Sequence, residues 1–190
     1  MSKALLKNIG VIISGDISNP ILKGNAILIE DGKIIQSGEE GGLDTAGAEM
    51  IIDCDGAAVT PGLFDSHCHV VLGDYTPRQK QTGFLESEVH GGVTTFISAG
   101  EVHLPGRPKD PAGTKALAIL AAKSFASFRP GGAKVVGGAV ILEKGLVQED
   151  FVELAKEGVR TVGEIGLGLS LIHISEPTRL NSTSRMPSSD

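Results

Sequence analysis

The sequence predicts an α/β protein in which a region of β-strands comes first and a series of strand and helix units follows. Three observations carry this expectation. Residues up to about 58 hold short β-branched runs broken by turn residues, with no helical period. From Pro61 onward, strand-like and helix-like segments alternate, the pattern of a parallel sheet with right-handed crossovers. The change of rhythm falls on the Pro61-Gly62 turn.

In the first region VIISG, AILIEDGKIIQSG and MIIDCDG carry the β-branched runs, and Asp31-Gly32 between two of them is a type I′ hairpin signal. This defines an N-terminal β subdomain over 1–58. The second domain is expected over 59–168, with strands at 63–70, 93–99, 134–142 and 159–165 and helices at 77–90, 111–128 and 148–157. The middle helix is the clearest: Asp110 can cap it, Pro111 suits its first turn, and Gly131-Gly132 stops it. Leu117, Leu120, Ala121, Ser124, Phe125 and Phe128 fall on one predicted face. Residues 169–190 break the rhythm. They are rich in serine, have no amphipathic period, and SLIHISEPTRLNSTS resembles translated sequencing adapter. A foreign or disordered tail is expected there, and His173 is given no role.

Composition narrows the function. Of 190 residues, 41% are hydrophobic and 21% charged, which is ordinary for a globular chain. A net charge of -6 leaves no basic face for phosphates, so nucleic-acid and anionic-membrane partners are excluded and a small-molecule substrate is expected. The two cysteines, Cys54 and Cys68, form no CxxC pair and no disulfide framework, which fits a reducing cytoplasm. The apolar run IGVII near the N-terminus is too short for a signal sequence or membrane span. No GxGxxG or P-loop pattern follows a strand, so no nucleotide site is indicated.

The chemistry concentrates in VTPGLFDSHCHV, residues 59–70. On a β-strand alternate side chains share a face, so His67 and His69 point one way and Cys68 the other. Two neutral imidazoles held by backbone meet the basic need of a transition-metal site, although the spacing by itself also suits ordinary surface histidines.

The longer segment IIDCDGAAVTPGLFDSHCHV resembles the signature of the amidohydrolase superfamily, in which a β subdomain precedes PGL, an Asp and a His-x-His pair on the first strand of a (β/α)8 barrel. The resemblance implies the first half of such a TIM-like barrel, about four β/α units over 59–168. It implies His67 and His69 as metal ligands, with Asp65 as a partner that orients them. Many family members carry a carboxylated lysine at the end of strand 4. Here Glu164 stands at that place, and its carboxylate can bridge two cations as a carbamate does; the alternative is a residue that merely caps a loop.

GDYTPRQK, HGGVTTFISAG, PGRPKDPAGTKALAI and GGAVILEKGL look more narrowly like the enamidase branch of cyclic-amide hydrolases in anaerobic nicotinate breakdown. That likeness implies opening of 1,4,5,6-tetrahydro-6-oxonicotinate to 2-formylglutarate and ammonia. It further implies a divalent metal centre, binuclear with Zn and/or Fe in the full-length enzyme, and a homo-oligomer. The family's base aspartate and two further histidines belong to strands 8, 5 and 6, so no catalytic residue is expected within this chain, read as a truncated and inactive portion.

His103 and Arg107 fall in the loop after strand 2, where a positive group could hold a substrate carboxylate, against the alternative of a solvated loop. His90 before Gly91-Gly92 reads as a C-terminal helix residue favoured by the helix dipole. Rival functions are another cyclic amidohydrolase of the dihydroorotase, hydantoinase or allantoinase kind, and a non-catalytic barrel scaffold. A self-contained metal module fails because three ligands leave a weak, exposed site.

Overall fold

The β-branched runs of the first region form β1 (Lys3–Lys7), β2 (Val11–Ile13), β3 (Ile21–Leu22), β4 (Ala26–Glu30), β5 (Lys33–Gly38), β6 (Met50–Asp53) and β7 (Ala58–Val59). The computed structural model describes residues 2–70, 72 and 81–165. These fall into two compact units, one ending at Gly62 and the other beginning at Leu63.

In the first unit one sheet has the order β5-β4-β1-β6 and a second the order β3-β2-β7. β4 and β5 form the expected antiparallel hairpin. Asp31 and Gly32 both take positive φ, 49° and 75°, as a type I′ turn demands. β4 is buried on both faces: Ala26 and Leu28 pack with Leu5, whereas Ile27 turns to Ile9 and Ile12. Ile12 lies on β2, so these side chains hold the two sheets face to face.

The second unit alternates strands and helices. β8 (Leu63–Cys68) is followed by α1 (Gln81–His90), β9 (Val93–Ser98), α2 (Pro111–Phe125), β10 (Lys134–Val136), β11 (Val140–Leu142), α3 (Gln148–Lys156) and β12 (Val162–Ile165). β8 pairs parallel with β9, β9 with β10, and β11 with β12. Phe96, Leu85, Cys68, Val70, Phe125 and Val135 make the larger core cluster. Among the described residues no helix is long and apolar enough to cross a membrane.

Three expectations are corrected. The single strand at 134–142 is two, β10 and β11, broken at Gly137-Gly138. A Cβ at Gly137 would overlap the Phe125 ring and one at Gly138 the Ala118 carbonyl, so α2 lies directly on this backbone and the strand bends beneath it. The buried face of α2 is Thr114, Ala118, Ala121 and Phe125; Ala121 and Phe125 are as expected, and the small Ala118 permits the close approach of Gly138. Leu120 is 57% exposed, and Ser124 is exposed too. Finally, α2 ends at Phe125 rather than 128, although its start is as expected: Asp110 Oδ1 accepts from the Gly113 amide at 2.9 Å with Pro111 in the first turn. Residues 77–80 of the expected first helix and the expected tail 169–190 lie outside the described residues.

Candidate metal centre

Strand β8 sets the site by its two-residue period. Cys68 enters the core at 4% exposure and is packed with Val70 and Phe96. Burial pushes its thiol up to about 12, so it stays a protonated packing residue rather than a ligand. His67 and His69 project to the opposite face, with ring centroids 5.3 Å apart and planes at 84°.

Glu164, in β12, reaches both. Its Oε1 lies 3.1 Å from His67 Nε2 and 3.5 Å from His69 Nε2. Two features of the chain bring it there. The Glu164 amide donates to the Ala99 carbonyl at 2.9 Å, tethering β12 beside the end of β9. Gly163 makes that approach possible, because a Cβ there would overlap the Ala99 carbonyl.

Within the triad one ligand atom from each residue lies within 4.8 Å of the others. A tetrahedral ion with bonds near 2.0–2.1 Å separates adjacent ligand atoms by about 3.3 Å. The two histidine-to-carboxylate distances, 3.1 and 3.5 Å, match that spacing. The donor set of imidazole nitrogen and carboxylate oxygen also suits a divalent transition metal. A neutral Nε2 lone pair facing a carboxylate oxygen is repulsive unless a proton or a cation stands between them. Burial, then the neighbouring His103, holds His69 below the usual histidine value, which favours the neutral ring a metal requires. His69 Nδ1 is buried with no partner among the described residues, which do not make the usual outer hydrogen bond of a metal-bound ring.

The other expected residues fall near the site in different ways. Asp65 Oδ1 accepts from the backbone amide of His67 at 3.0 Å, so it braces the strand and not an imidazole ring. His103 stands against His69 with ring centroids 4.5 Å apart. A cavity of about 380 Å³ is lined by His69, Val102, His103, Arg107, Glu164 and Ile165. Arg107 therefore faces the site, but its Nη1 is bound to Glu143 Oε1 at 2.6 Å, with both side chains below 10% exposure. Its charge is already balanced before any substrate arrives. His90 is an exposed residue in the last turn of α1.

Two buried acids escaped the sequence reading. Glu143 is the partner of Arg107, and Glu101 is 1% exposed. Burial pushes the Glu101 carboxyl up to about 7, a rise its hydrogen bond from the Leu72 amide partly opposes. A signal was available, because TTFISAGE, AVILE and TVGE each run an apolar strand directly into a glutamate.

No family model matches the chain. It is similar to enamidase of Eubacterium barkeri, 60% identical over 168 residues that cover 88% of this chain and 44% of the relative. A crystal structure of enamidase, a member of the amidohydrolase superfamily, superposes with a TM-score of 0.79 at 60% identity, over 88% of this chain and 43% of that one. Over most of its own length the chain is thus similar to a member of the amidohydrolase superfamily. More distant likeness extends to imidazolonepropionase of Paenarthrobacter aurescens, 35% identical over 52% of this chain and 24% of the relative. Adenine deaminase of Paracoccus denitrificans is 31% identical over 40% of this chain and 12% of the relative. The chain thus spans under half the length of each of these relatives.

Proposed function

We propose that this chain carries the His67, His69 and Glu164 part of a divalent metal centre in a hydrolase of cyclic-amide C–N bonds, of the enamidase kind. The convergence of these three side chains on one point carries the reading. The 60% identity to enamidase supports the cyclic-amide class, with 1,4,5,6-tetrahydro-6-oxonicotinate as the first substrate to test. In this reading β8, β9, the β10–β11 strand and β12 are the first four strands of a (β/α)8 barrel, and the triad lies at its catalytic, C-terminal mouth.

A divalent cation bound there supplies a polarised carbonyl and a water acidic enough to attack near neutral pH. The chain's own residues do the rest. His67 and His69 present neutral nitrogens from a rigid strand, and Glu164 brings the negative charge that offsets the cation. Asp65 braces the strand between them. The cavity beside His69 and His103 receives the ring, and Arg107 reaches a substrate carboxylate by loosening its pairing with Glu143. No described residue is assigned as the general base.

The test is metal retention. Protein equilibrated with zinc is expected to hold the metal weakly, as three ligands allow, and His67→Ala, His69→Ala and Glu164→Ala each to lose most of that binding. Equal retention by all four proteins would remove the triad from the site. Binding of the oxonicotinate ring beside a hydantoin and a dihydropyrimidine to the zinc-loaded protein then ranks these ligands.

A further inference from the structure

Beyond the end of β8 the chain stays tied to β9 at every second residue. The Ala99 amide donates to the Cys68 carbonyl at 2.8 Å. Ser98 Oγ donates to the Val70 carbonyl at 3.4 Å and itself accepts from the Gly100 amide at 3.1 Å. The Leu72 amide donates to Glu101 Oε2 at 2.9 Å. The Cys68 and Val70 carbonyls and the Leu72 amide are thus each held, the last two by side chains. His69 lies in the middle of this run, and the alternation of held positions fixes which way its ring points.

A carboxylate is a costly side chain to bury for this task. Glu101 Oε1 is buried with no partner among the described residues, as is Thr114 Oγ1. Both residues line a cavity of about 10 Å³ that also meets Arg107, about the space of a single water. An apolar side chain would fill the core here at lower cost but would leave the Leu72 amide without an acceptor.

We propose that Glu101 is a positioning residue of the metal centre: by holding the Leu72 amide it extends β8 past its last backbone pair and aims His69 at His67 and Glu164. The proposal rests on the metal reading of the triad. It acts through backbone geometry and not through charge, so an isosteric amide with a carbonyl acceptor should replace the carboxylate.

The test compares the whole chain with Glu101→Gln, Glu101→Met and Leu154→Ala, the last a core change in the separate cluster around Val140. Cobalt(II) titration, read by its visible absorption, reports the triad, and hydrogen exchange of peptides covering residues 67–72 reports the tether. Glu101→Met should weaken cobalt binding about ten- to hundredfold, the usual effect of losing an outer-shell partner, and should speed exchange. Glu101→Gln should do neither, and Leu154→Ala should lower Tm without weakening cobalt. Should Glu101→Met not fold, Glu101→Asp, whose oxygens withdraw from Leu72, must show the same two changes. Wild-type exchange and cobalt affinity in the Met or Asp variant would overturn the proposal, as would an equal affinity loss in Leu154→Ala or Glu101→Gln. If the wild type takes up no cobalt, the metal reading fails by itself and the exchange data alone decide the tether.

Discussion

Glu101→Gln also isolates what an ionised carboxyl costs in this core. Burial raises the Glu101 pKa from 4.5 to about 7. At about 1.36 kcal/mol per unit this corresponds to about 3 kcal/mol between the protonated and ionised forms. The folded protein binds the proton more tightly than the unfolded chain, so this contribution to stability is fully present below about pH 4.5. It is lost as pH rises and is gone above about pH 7. Glutamine has no such titration. The stability of Glu101→Gln relative to wild type should therefore rise by about 3 kcal/mol between about pH 4.5 and pH 8. His69 titrates on the acid side, its pKa lowered by burial, but it does so in both proteins and cancels in the difference. The assay is urea unfolding of the two proteins across that range. A difference that stays flat, or that shrinks as pH rises, would refute the burial argument.

Glu143→Ala should cost about 3–5 kcal/mol, because it strands the Arg107 guanidinium in a site where both partners are nearly buried; chemical denaturation measures this. A paired Arg107→Met/Glu143→Leu change should cost much less, and equal losses would argue against an unpaired-charge origin. Asp110→Ala removes the acceptor for the Gly113 amide at the start of α2 and should lower stability by about 1 kcal/mol in the same assay. Gly163→Ala places a methyl group against the Ala99 carbonyl. It should cost about 1–3 kcal/mol and, by displacing Glu164, weaken zinc retention, whereas an alanine at the open Gly41 should change neither.

What the sequence determined by itself is what local chemistry decides. The Asp31-Gly32 hairpin follows from two residues that accept positive φ, and the start of α2 from an aspartate, a proline and an amide three residues on. The shared face of His67 and His69 follows from the period of a strand, and the buried Cys68 between them from the same period. The face that α2 buries was legible in part: Ala121 and Phe125 are buried as expected, but Thr114 and Ala118 rather than Leu120 and Ser124 complete it, because Ala118 lies against the Gly138 backbone. Nor could composition say which glutamates go inside. Three strands run into a glutamate, and only the crossovers decide that Glu143 meets Arg107, Glu101 meets the Leu72 amide and Glu164 meets two histidines. Those partners lie 29 to 97 residues apart in the chain, a separation over which local propensity carries no information and only the packed sheet brings groups within bonding distance.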